Sequence, residues 1–278
     1  MAIRKRRRAA TSPIDKALAK SDAEFVKDYL EPAVPGLAPW TPEWTHPTTG
    51  QKFSIQLARP AELGEEDLEA CYRLIKQTSR ADYKRSAMKW RPDHKREEMR
   101  SPGLRYIVVR EAVSAEAPTG DGGVDAEPLE EGDREENGTE TQKEVDGDAD
   151  EAGHDDAQST TTTTSSASSP TIPAFTSLMP VYEEGEPVVY CYEIHLSPAL
   201  QGSGLGRLLL GFQSIVAHNI GPPVSKVMLT CFLSNARALR FYERQGFETD
   251  PLAPTTRRLR GGKVFVPDYT ILSKPVVR

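Results

Sequence analysis

The chain has 278 residues, of which 37% are hydrophobic, and 35 Lys and Arg stand against 41 Asp and Glu, for a formal net charge of −6. This length suits one large domain or two small ones. No run of about 18 apolar residues occurs and the N-terminus lacks an apolar signal core, so neither a membrane-spanning nor a secreted protein is expected.

Cysteine and histidine usage gives no indication of disulfides or of a metal. Cys71, Cys191 and Cys231 form no Cys-x-x-Cys pair, so we expect buried thiols in a reducing compartment. The five histidines show no metal-ligand spacing. No metal is therefore expected.

Residues 1–49 are predicted to form a basic N-terminal arm with a helical extension. Residues 4–8, Arg-Lys-Arg-Arg-Arg, are a basic pentamer of the kind found in nuclear-localisation signals, so we expect the protein in the nucleus and the cytoplasm. Residues 12–30 have a helical pattern. Residues 32–47 are punctuated by prolines.

The next segment alternates between strand and helix patterns. Residues 53–57 alternate as a strand does, and residues 65–79 place apolar side chains on one helical face. Residues 83–99 predict a loop and a short helix. Further strands are expected at residues 104–110, 172–181, 188–196, 226–232 and 264–272, and a helix at residues 235–245. The order predicts an α/β (α+β) sandwich.

An acidic segment separates two of these predicted strands. Between Glu116 and Asp156 there are 17 acidic residues and two basic ones, a net charge of −15 that leaves +9 for the remaining chain. Such a segment cannot bury enough apolar surface to fold. We predict a disordered, acidic, Ser/Thr-rich insert at residues 113–169 that interrupts one domain of residues 50–112 and 170–278. Its two ends should lie close together.

Residues 201–207, Gln-Gly-Ser-Gly-Leu-Gly-Arg, lie between a predicted strand and an amphipathic helix. Glycines let a backbone approach a phosphate, and the first turn of a helix has unpaired N–H groups. The Rossmann pattern does not match, because the last glycine is wrongly spaced and no acidic residue follows near residues 220–228. The Walker pattern does not match either, because no Lys-Ser or Lys-Thr follows the second glycine. The stretch predicts a pyrophosphate cradle of another kind.

The same stretch resembles the Q/R-x-x-G-x-G/A acetyl-CoA loop of the GNAT superfamily of N-acetyltransferases, with Gln201, Gly204 and Gly206 at the fixed positions. Residues 229–230 and 235–247 continue the resemblance. Within the superfamily, the chain resembles the NatD-type histone N-terminal acetyltransferases at residues 95–99, 190–193, 227–230 and 268–273. The resemblance covers residues 50–112 and 170–273. It implies the GNAT fold, with a mixed central sheet and helices on both faces.

The resemblance also implies an activity and a set of contacts. The activity is acetyl transfer from acetyl-CoA to the free N-terminal amine of the core histones H-four and H-two-A, whose tails begin Ser-Gly-Arg-Gly. The implied cofactor contacts are Ile194, His195, Leu196, Gln201, Gly202, Ser203, Gly204, Leu205, Gly206, Arg207, Thr230 and Asn235. The implied peptide contacts are Tyr83, Val181, Tyr182, Glu183, Tyr192 and Tyr269. The family tends to be acidic where Val181 stands, which leaves Glu183 as the carboxylate for the tail.

The catalytic residues follow from the chemistry of the transfer. An α-ammonium group must lose a proton before it attacks a thioester, and Glu193, beside the predicted loop, is the candidate general base. Tyr190 and Tyr192 are the candidate proton donors to the thiolate, with Tyr242 as the superfamily's usual alternative. Strict alternation places both tyrosines on one face of the strand and Glu193 on the other. A bulge would break this alternation and free a backbone N–H for the acetyl carbonyl.

Simpler explanations stay open for several of these residues. The tyrosine pair would also suit packing, and Glu193 would also suit an ion pair with a basic residue. Thr230 and Asn235 would also pack and cap their elements. Cys191 has no evident His or Asp partner, so we expect a buried thiol rather than a nucleophile. The basic cluster at residues 257–263 is expected to be a solvated loop.

Three function classes remain open. The first is a histone N-terminal acetyltransferase. The second is an acetyltransferase of the same fold that acts on a lysine or a small-molecule amine. The third is a non-catalytic histone-binding protein that uses the acidic insert, against which the glycine stretch argues. We expect histone tails as partners, no membrane, no direct nucleic-acid binding and a monomer.

Overall fold

The computed structural model of the protein describes residues 11–112 and 171–278. The basic pentamer at residues 4–8 and the insert at residues 113–169 lie outside the described residues, so both remain predictions. The described residues belong to one unit.

A mixed eight-stranded sheet forms the centre of this unit. The strands, in chain order, are β1 (Glu43–Thr45), β2 (Lys52–Ala58), β3 (Arg105–Glu111), β4 (Ala174–Glu183), β5 (Glu186–Leu196), β6 (Lys226–Phe232), β7 (Glu248–Thr249), β8 (Arg257–Arg258), β9 (Val264–Phe265) and β10 (Tyr269–Pro275). Their order in the sheet is β1-β2-β3-β4-β5-β6-β10-β7, and β8 and β9 form a separate pair. Neighbours in the large sheet are antiparallel except β5 and β6, which are parallel.

Helices cover both faces of the sheet. They are α1 (Pro13–Ala19), α2 (Asp22–Phe25), α3 (Glu65–Arg85), α4 (Pro92–Met99), α5 (Leu205–Ile220) and α6 (Ala236–Arg244). One apolar core joins α1, α5 and α6 to Val109 and Val189 of the sheet. A second joins α3 and α4 to Val108 and Phe175. Val108 and Val109 belong to different cores, as the alternation of side chains along a strand requires. The predicted mixed sheet with helices on both faces is confirmed.

The single helix predicted at residues 12–30 is wrong. The chain leaves α1 at Lys20, and Ser21 begins α2 with a capping box. The Ser21 hydroxyl accepts from Glu24 N–H at 3.3 Å, and the Glu24 carboxylate accepts from Ser21 N–H at 2.9 Å. These bonds satisfy the first N–H groups of a new helix, which favours a break there. A π-helical turn, Val26–Leu30, follows α2.

The later elements differ from prediction mainly in their bounds. The helix predicted to end at residue 79 continues to Arg85, so the loop before α4 covers residues 86–91. The single strand predicted at residues 264–272 is wrong, because β9 ends at Phe265 and β10 begins at Tyr269. Pro267 lies between them, and a proline cannot donate to a strand ladder.

The strands on either side of residues 113–170 are neighbours. β3 and β4 pair antiparallel, with Val109 opposite Ala174. The chain therefore leaves the described sheet at the end of β3 and returns to it at the neighbouring start of β4, as expected for an insertion between two strands of a hairpin.

Arg105 fastens the N-terminal extension to the sheet. Its side chain is buried, and its guanidinium lies 2.5 Å from the Asp22 carboxylate. It also donates to the carbonyls of Ala17 at 3.2 Å and Lys20 at 2.7 Å, at the end of α1. The ring of Phe25 lies 4.2 Å from the guanidinium carbon. A buried cation is stable only with such partners, so these bonds fix α1 and α2 against β3.

Candidate active site

The sheet opens between its two parallel strands. β5 and β6 pair only from Val189, opposite Val227, to Cys191, opposite Leu229, although both strands continue. Beyond this point β5 stays paired with β4, and β6 stays paired with β10. The two strands therefore separate. A cavity of about 630 Å³ lies at the gap and is lined by residues of both.

A glycine turn follows β5 and leads into α5. Gly202 and Gly204 have φ angles of 85° and 91°, in the left-handed region that glycine adopts readily. A Cβ at either position would meet nothing within 4 Å, so the surface of the turn is open. Gly204 is the N-cap of α5, a helix of 16 residues, whose first N–H groups have no partner within the helix. This geometry suits an anion such as a pyrophosphate.

Other residues of the predicted cofactor loop brace the turn. Gln201 Nε2 donates to the Leu196 carbonyl at 3.0 Å, which ties the turn to the end of β5. The Ser203 hydroxyl donates to the Leu200 carbonyl at 2.7 Å. Leu196 and Leu205 pack into the core beneath α5. These side chains hold the backbone in place, and a contact of these residues with the cofactor remains a prediction.

The last two residues of the loop differ in role. A Cβ on Gly206 would lie 3.2 Å from Cζ of Phe241, so this glycine lets α5 and α6 pack closely. Burial and then the charge of Arg207 lower the pKa of Lys274. A contact of Arg207 with the cofactor remains a prediction.

A β-bulge turns the reactive side chains of β5 toward α3 and α4. Cys191 and Glu193 face consecutive residues of β4, so Tyr192 is the extra residue. Cys191 and Ile194 therefore both face the core under α5, whereas Tyr192 packs with the core under α3 and α4. Of the two arrangements considered for residues 190–195, strict alternation and a bulge, the structure shows the bulge. Glu193 and His195 consequently lie on the same side as Tyr192.

Glu193 lies in a buried polar cluster at the wall of the cavity. Its Oε1 is 2.9 Å from Lys95 Nζ, and its Oε2 is 2.5 Å from His195 Nε2. Lys95 also bonds to Glu98 at 2.9 Å and lies 5.0 Å from the ring centre of Tyr83. The structure therefore shows the ion pair with a basic residue that was considered as an alternative for Glu193.

The cluster holds Glu193 in its charged form. Burial alone would raise the pKa of Glu193, but the charges of Lys95 and His195 and their hydrogen bonds outweigh it and lower the pKa to about 2. Burial would likewise lower the pKa of Lys95, but Glu193 and then Tyr83 and Glu98 raise it. The ion pair is therefore formed throughout the neutral pH range.

The predicted proton donors line the same cavity. The hydroxyl of Tyr190 lies 2.6 Å from that of Thr230, and the rings of Tyr190 and Tyr192 are 5.2 Å apart. Burial raises the pKa of Tyr190 to about 12, against a smaller opposing effect of the Thr230 bond. Burial also raises the pKa values of Tyr192 and Tyr242. All three phenols are protonated at neutral pH and can donate.

Thr230 and Asn235 have structural partners as well as places in the cavity wall. Asn235 Oδ1 accepts from Ala238 N–H at 3.0 Å and so caps α6. Thr230 bonds to Tyr190. Both line the cavity, so a structural role is observed and a cofactor contact remains a prediction.

The predicted peptide residues are only partly brought together. Tyr83 and Glu183 line the cavity with Tyr192. Val181 and Tyr182 lie on β4 outside the lining, and Tyr182 is 47% exposed. Tyr269 begins β10 opposite a cavity residue of β6 without lining the cavity itself.

A family comparison agrees with this geometry. The model of the acetyltransferase (GNAT) family matches residues 133–247, which include β4 to β6, the glycine turn and α6. Residues 133–247, less than half of the chain, are therefore similar to a GNAT acetyltransferase domain. The GNAT fold predicted from the sequence is thereby confirmed.

Individual relatives carry more specific names. The chain is 37% identical to the N-alpha-acetyltransferase 40 of Saccharomyces cerevisiae over an alignment of 117 residues, which covers 34% of this chain and 41% of the relative. The chain thus matches less than half of that protein. Among solved structures, Arabidopsis thaliana NAA60 in complex with a bisubstrate analogue is 11% identical, with a TM-score of 0.44, 81% of this chain covered and 100% of that one. Spermidine N-acetyltransferase from Vibrio cholerae, in complex with CoA and spermine, is 13% identical, with a TM-score of 0.39 and coverages of 80% and 95%.

Several residues of the candidate site received no role from the sequence. Lys95 and Glu98 of α4 and Thr78 of α3 belong to the Glu193 cluster, directly or through His195. The loop at residues 87–91 lines the same cavity. The available signal was the resemblance at residues 95–99, which singled out this stretch but not the side chain that reaches Glu193.

Within residues 11–112 and 171–278, none of the helices is both long enough and apolar enough to cross a membrane. Over the same residues, no group of three or more His, Cys, Asp or Glu is arranged to hold a metal ion.

Proposed function

We propose that the protein is an N-alpha-acetyltransferase that transfers the acetyl group of acetyl-CoA directly to the free N-terminal amine of a peptide. The observation that carries this proposal is the gap between β5 and β6. The gap lies beside a cavity whose wall holds the Glu193 carboxylate and the phenols of Tyr190 and Tyr192, and β5 leads from it to a glycine turn whose geometry suits an anion. The similarity to the yeast N-alpha-acetyltransferase 40 supports an N-terminal amine as the acceptor.

Acetyl-CoA would lie along the opened edge of β5. The backbone of Gly202 to Arg207 would bind the pyrophosphate, because the turn is open and ends at a helix N-terminus. The edge of β5 from Ile194 to Leu196 is not paired with β6, so its backbone groups can bond to the amide groups of the pantetheine arm. Bound acetyl-CoA supplies a thioester, whose carbonyl carbon is the electrophile.

The reaction needs two proton movements. The α-ammonium loses one proton before its nitrogen attacks the thioester carbon, and the second N–H proton leaves as the C–S bond breaks. Tyr190 is placed to deliver a proton to the thiolate, since its phenol is protonated at neutral pH and lines the cavity. Glu193 is the proposed acceptor of the first proton, directly or through one water. No covalent intermediate on the protein is needed.

A carboxylate with a pKa of about 2 is a weak base by itself. Its fixed negative charge does, however, favour an α-ammonium in the cavity.

The proposed substrates are the N-terminal tails of core histones H-four and H-two-A, which begin Ser-Gly-Arg-Gly. Glu183 lines the cavity, and burial and then the charge of Glu184 raise its pKa. A substrate guanidinium beside Glu183 would offset both effects. An arginine near the N-terminus of the peptide fits this position.

The first test is acetyl transfer from labelled acetyl-CoA to a Ser-Gly-Arg-Gly-Lys peptide, compared with the same peptide whose N-terminus is blocked. Label on the free peptide alone supports the proposal. Equal label on both would identify a lysine acetyltransferase, and no label on either would reject peptide acetylation.

A second test addresses the arginine. Glu183→Gln should raise KM for this peptide about 10-fold, as expected for loss of one charged hydrogen bond, and leave KM for a Ser-Gly-Ala-Gly-Lys peptide unchanged. Glu248→Gln is the matched control, because Glu248 is exposed in β7 and outside the cavity lining. Equal effects on both peptides would place the arginine elsewhere.

Location in the nucleus and the cytoplasm is part of the proposal. Its support is the basic pentamer at residues 4–8. Fluorescence imaging of the full chain and of a variant with these five residues changed to alanine tests it. An unchanged nuclear fraction would reject the pentamer as the signal.

A further inference from the structure

Two buried hydrogen bonds, called here the Gln213–Thr176 network, connect α5 to the backbone of Glu193. Gln213, on α5, donates through Nε2 to the hydroxyl oxygen of Thr176 at 2.7 Å. Thr176, on β4, donates to the carbonyl of Glu193 at 2.7 Å. Gln213 and Thr176 are fully buried and do not line the cavity. The network therefore reaches Glu193 from the core under α5 and not from the cavity.

The hydrogens of the network can be assigned from its chemistry. A carbonyl only accepts, so the single hydrogen of the Thr176 hydroxyl is directed to the Glu193 carbonyl. The Thr176 oxygen must then accept from Gln213, which fixes the NH2 end of the Gln213 amide toward Thr176. The other end of this amide, Oε1, is buried and has no partner within residues 11–112 and 171–278. The Gln213 amide thus makes one bond and leaves its oxygen unpaired.

Stability alone does not explain a glutamine at this position. Leu209, Phe212 and Val216, which surround Gln213 on α5, are apolar and buried. A buried amide oxygen without a partner lowers stability, whereas an apolar side chain would pack there without that loss. A polar residue here therefore indicates a role for the bond that it makes.

The carbonyl at the end of the network belongs to the β-bulge. Tyr192 is the extra residue of β5, and Glu193 follows it opposite Ser177. In a regular antiparallel ladder a carbonyl bonds to an N–H of the neighbouring strand, and a bulge disrupts this ladder. Thr176 gives the Glu193 carbonyl a side-chain donor at the disrupted position. The network therefore stabilises the bulged arrangement of β5.

The bulge decides the direction of the Glu193 side chain. Side chains alternate along a regular strand, so without the extra residue Glu193 would lie on the same side as Cys191, in the core under α5. With the bulge it lies on the other side, where Oε1 is 2.9 Å from Lys95 Nζ. The position of this carboxylate in the cavity wall depends on the bulge.

We propose that Gln213 and Thr176 are positioning residues of the reaction, which hold the bulge at Tyr192 and thereby keep the Glu193 carboxylate in the cavity wall. They act through the backbone of Glu193 and contact neither substrate. Gln213 belongs to the helix that begins at the glycine turn, so α5 carries both the proposed pyrophosphate site and the support of the proposed base. This inference rests on the proposed function.

The first test needs no enzymatic activity. Thr176→Val keeps the shape of the side chain and removes the hydroxyl. Backbone amides of residues 192–194 should then exchange hydrogen about 10-fold faster, as expected for the loss of one hydrogen bond, while Val188 and Val189 at the start of β5 keep their rates. Thr176→Ser, which keeps the hydroxyl, should restore slow exchange. Unchanged rates at residues 192–194, or equal acceleration along all of β5, would overturn the proposal.

The second test uses kinetics. Thr176→Val and Gln213→Met should each lower kcat for peptide acetylation about 10-fold, because the base is misplaced, and leave KM for acetyl-CoA unchanged. Gln213→Met also removes the unpaired Oε1, so the urea midpoint should change little although activity falls. Ser177→Ala is the matched control, because Ser177 is equally buried on β4 and its hydroxyl has no partner in the described ranges. An equal fall in kcat for Ser177→Ala would overturn the proposal.

A double mutant decides whether Thr176 acts through Glu193. In a Glu193→Gln protein the proposed base is already lost, so Thr176→Val should have little further effect on kcat. A full further loss of about 10-fold in this background would mean that Thr176 acts elsewhere, and would overturn the proposal.

The two proposals can fail separately. Thr176→Val and Gln213→Met proteins with the wild-type kcat would overturn the role of the network and leave the N-alpha-acetyltransferase proposal standing. A wild-type protein that acetylates no peptide N-terminus would overturn the proposed function, and the exchange measurement would then decide alone whether Gln213 and Thr176 hold the bulge.

Discussion

Two of the buried clusters of charge in the described residues differ in what surrounds them. Arg105 is 1% exposed, and Asp22 and two carbonyls at the end of α1 surround its guanidinium. Asp22 also lines a second cavity, of about 450 Å³, but Arg105 lines neither cavity. Glu193 and its partners Lys95 and His195, by contrast, all line the cavity at the gap between β5 and β6, together with two tyrosines of β5. Burial and ion pairing therefore do not by themselves identify a functional site; the reactive side chains that share the adjacent cavity also count.

The largest effect is expected from breaking the second cluster. Lys95→Met removes the cation beside Glu193, so the carboxylate loses both its charged partner and its fixed orientation. We expect kcat for peptide acetylation to fall about 100-fold. The free energy of unfolding should fall by about 3 kcal/mol, because a buried carboxylate is left with less compensation. Initial rates with labelled acetyl-CoA and urea unfolding measure the two.

The matched control for this change is Lys84→Met, because Lys84 is an exposed residue in the last turn of α3. It should alter neither quantity. If Lys95→Met kept the wild-type kcat and lost only stability, the second cluster would be structural like the first.

Breaking the first cluster should affect stability alone. Arg105→Met leaves Asp22 and the carbonyls of α1 without their donor, and should lower the free energy of unfolding by about 3 kcal/mol. Arg110→Met is the comparison, because its pair with Asp67 is more exposed and should contribute less than about 1 kcal/mol. Urea unfolding tests both variants. A fall in kcat for well-folded Arg105→Met protein would show that the two clusters are coupled.

The pH dependence of stability should show the contribution of Glu193. Its pKa is lowered from 4.5 to about 2 in the folded chain, so its ionised form stabilises the fold above pH 4.5. That contribution, about 3 kcal/mol at about 1.4 kcal/mol per pKa unit, is lost as the pH falls toward 2. Glu193→Gln should remove this part of the acid sensitivity. Urea midpoints from pH 6 to pH 3.5 test it, and parallel curves for the two proteins would contradict it.

The sequence was sufficient for features that depend on local pattern. The strand at residues 226–232 has the predicted bounds, and the glycine turn follows β5 as expected. Glycines and apolar periodicity determine such features within a few residues. Pro267 is a local signal that would have corrected the single late strand, because it lies between β9 and β10.

Features that depend on contacts between residues far apart in the chain could not be predicted from the sequence. The bulge was foreseen as a possibility, but its position at Tyr192 is set by the register of β4 against β5. Lys95 lies 98 residues before Glu193, and no spacing rule connects them. The direction of the Glu193 side chain and the partner that lowers its pKa both follow from these two facts. The types of residue in the candidate site could therefore be predicted from the sequence, but their arrangement could not.

Alanine substitutions at two glycines, one at the start of α5 and one within it, should have smaller effects on stability that differ in sign. Gly204 has a φ angle of 91°, so Gly204→Ala places a side chain in a left-handed conformation that costs about 1–2 kcal/mol. The strain should also move the backbone of the turn and raise KM for acetyl-CoA without changing kcat. Urea unfolding and titration of acetyl-CoA test this. A normal KM with reduced stability would mean that the turn has no contact with the cofactor.

The smallest effect is expected seven residues later, and it has the opposite sign. Gly211 lies inside α5, where an added Cβ would meet nothing within 4 Å. Alanine there reduces the backbone freedom of the unfolded chain, so Gly211→Ala should raise the free energy of unfolding by about 0.5–1 kcal/mol and leave KM for acetyl-CoA unchanged. A loss of stability would mean that something contacts this face of α5. The two variants together would show that glycine is required at Gly204 in the turn but is not required at Gly211 within α5.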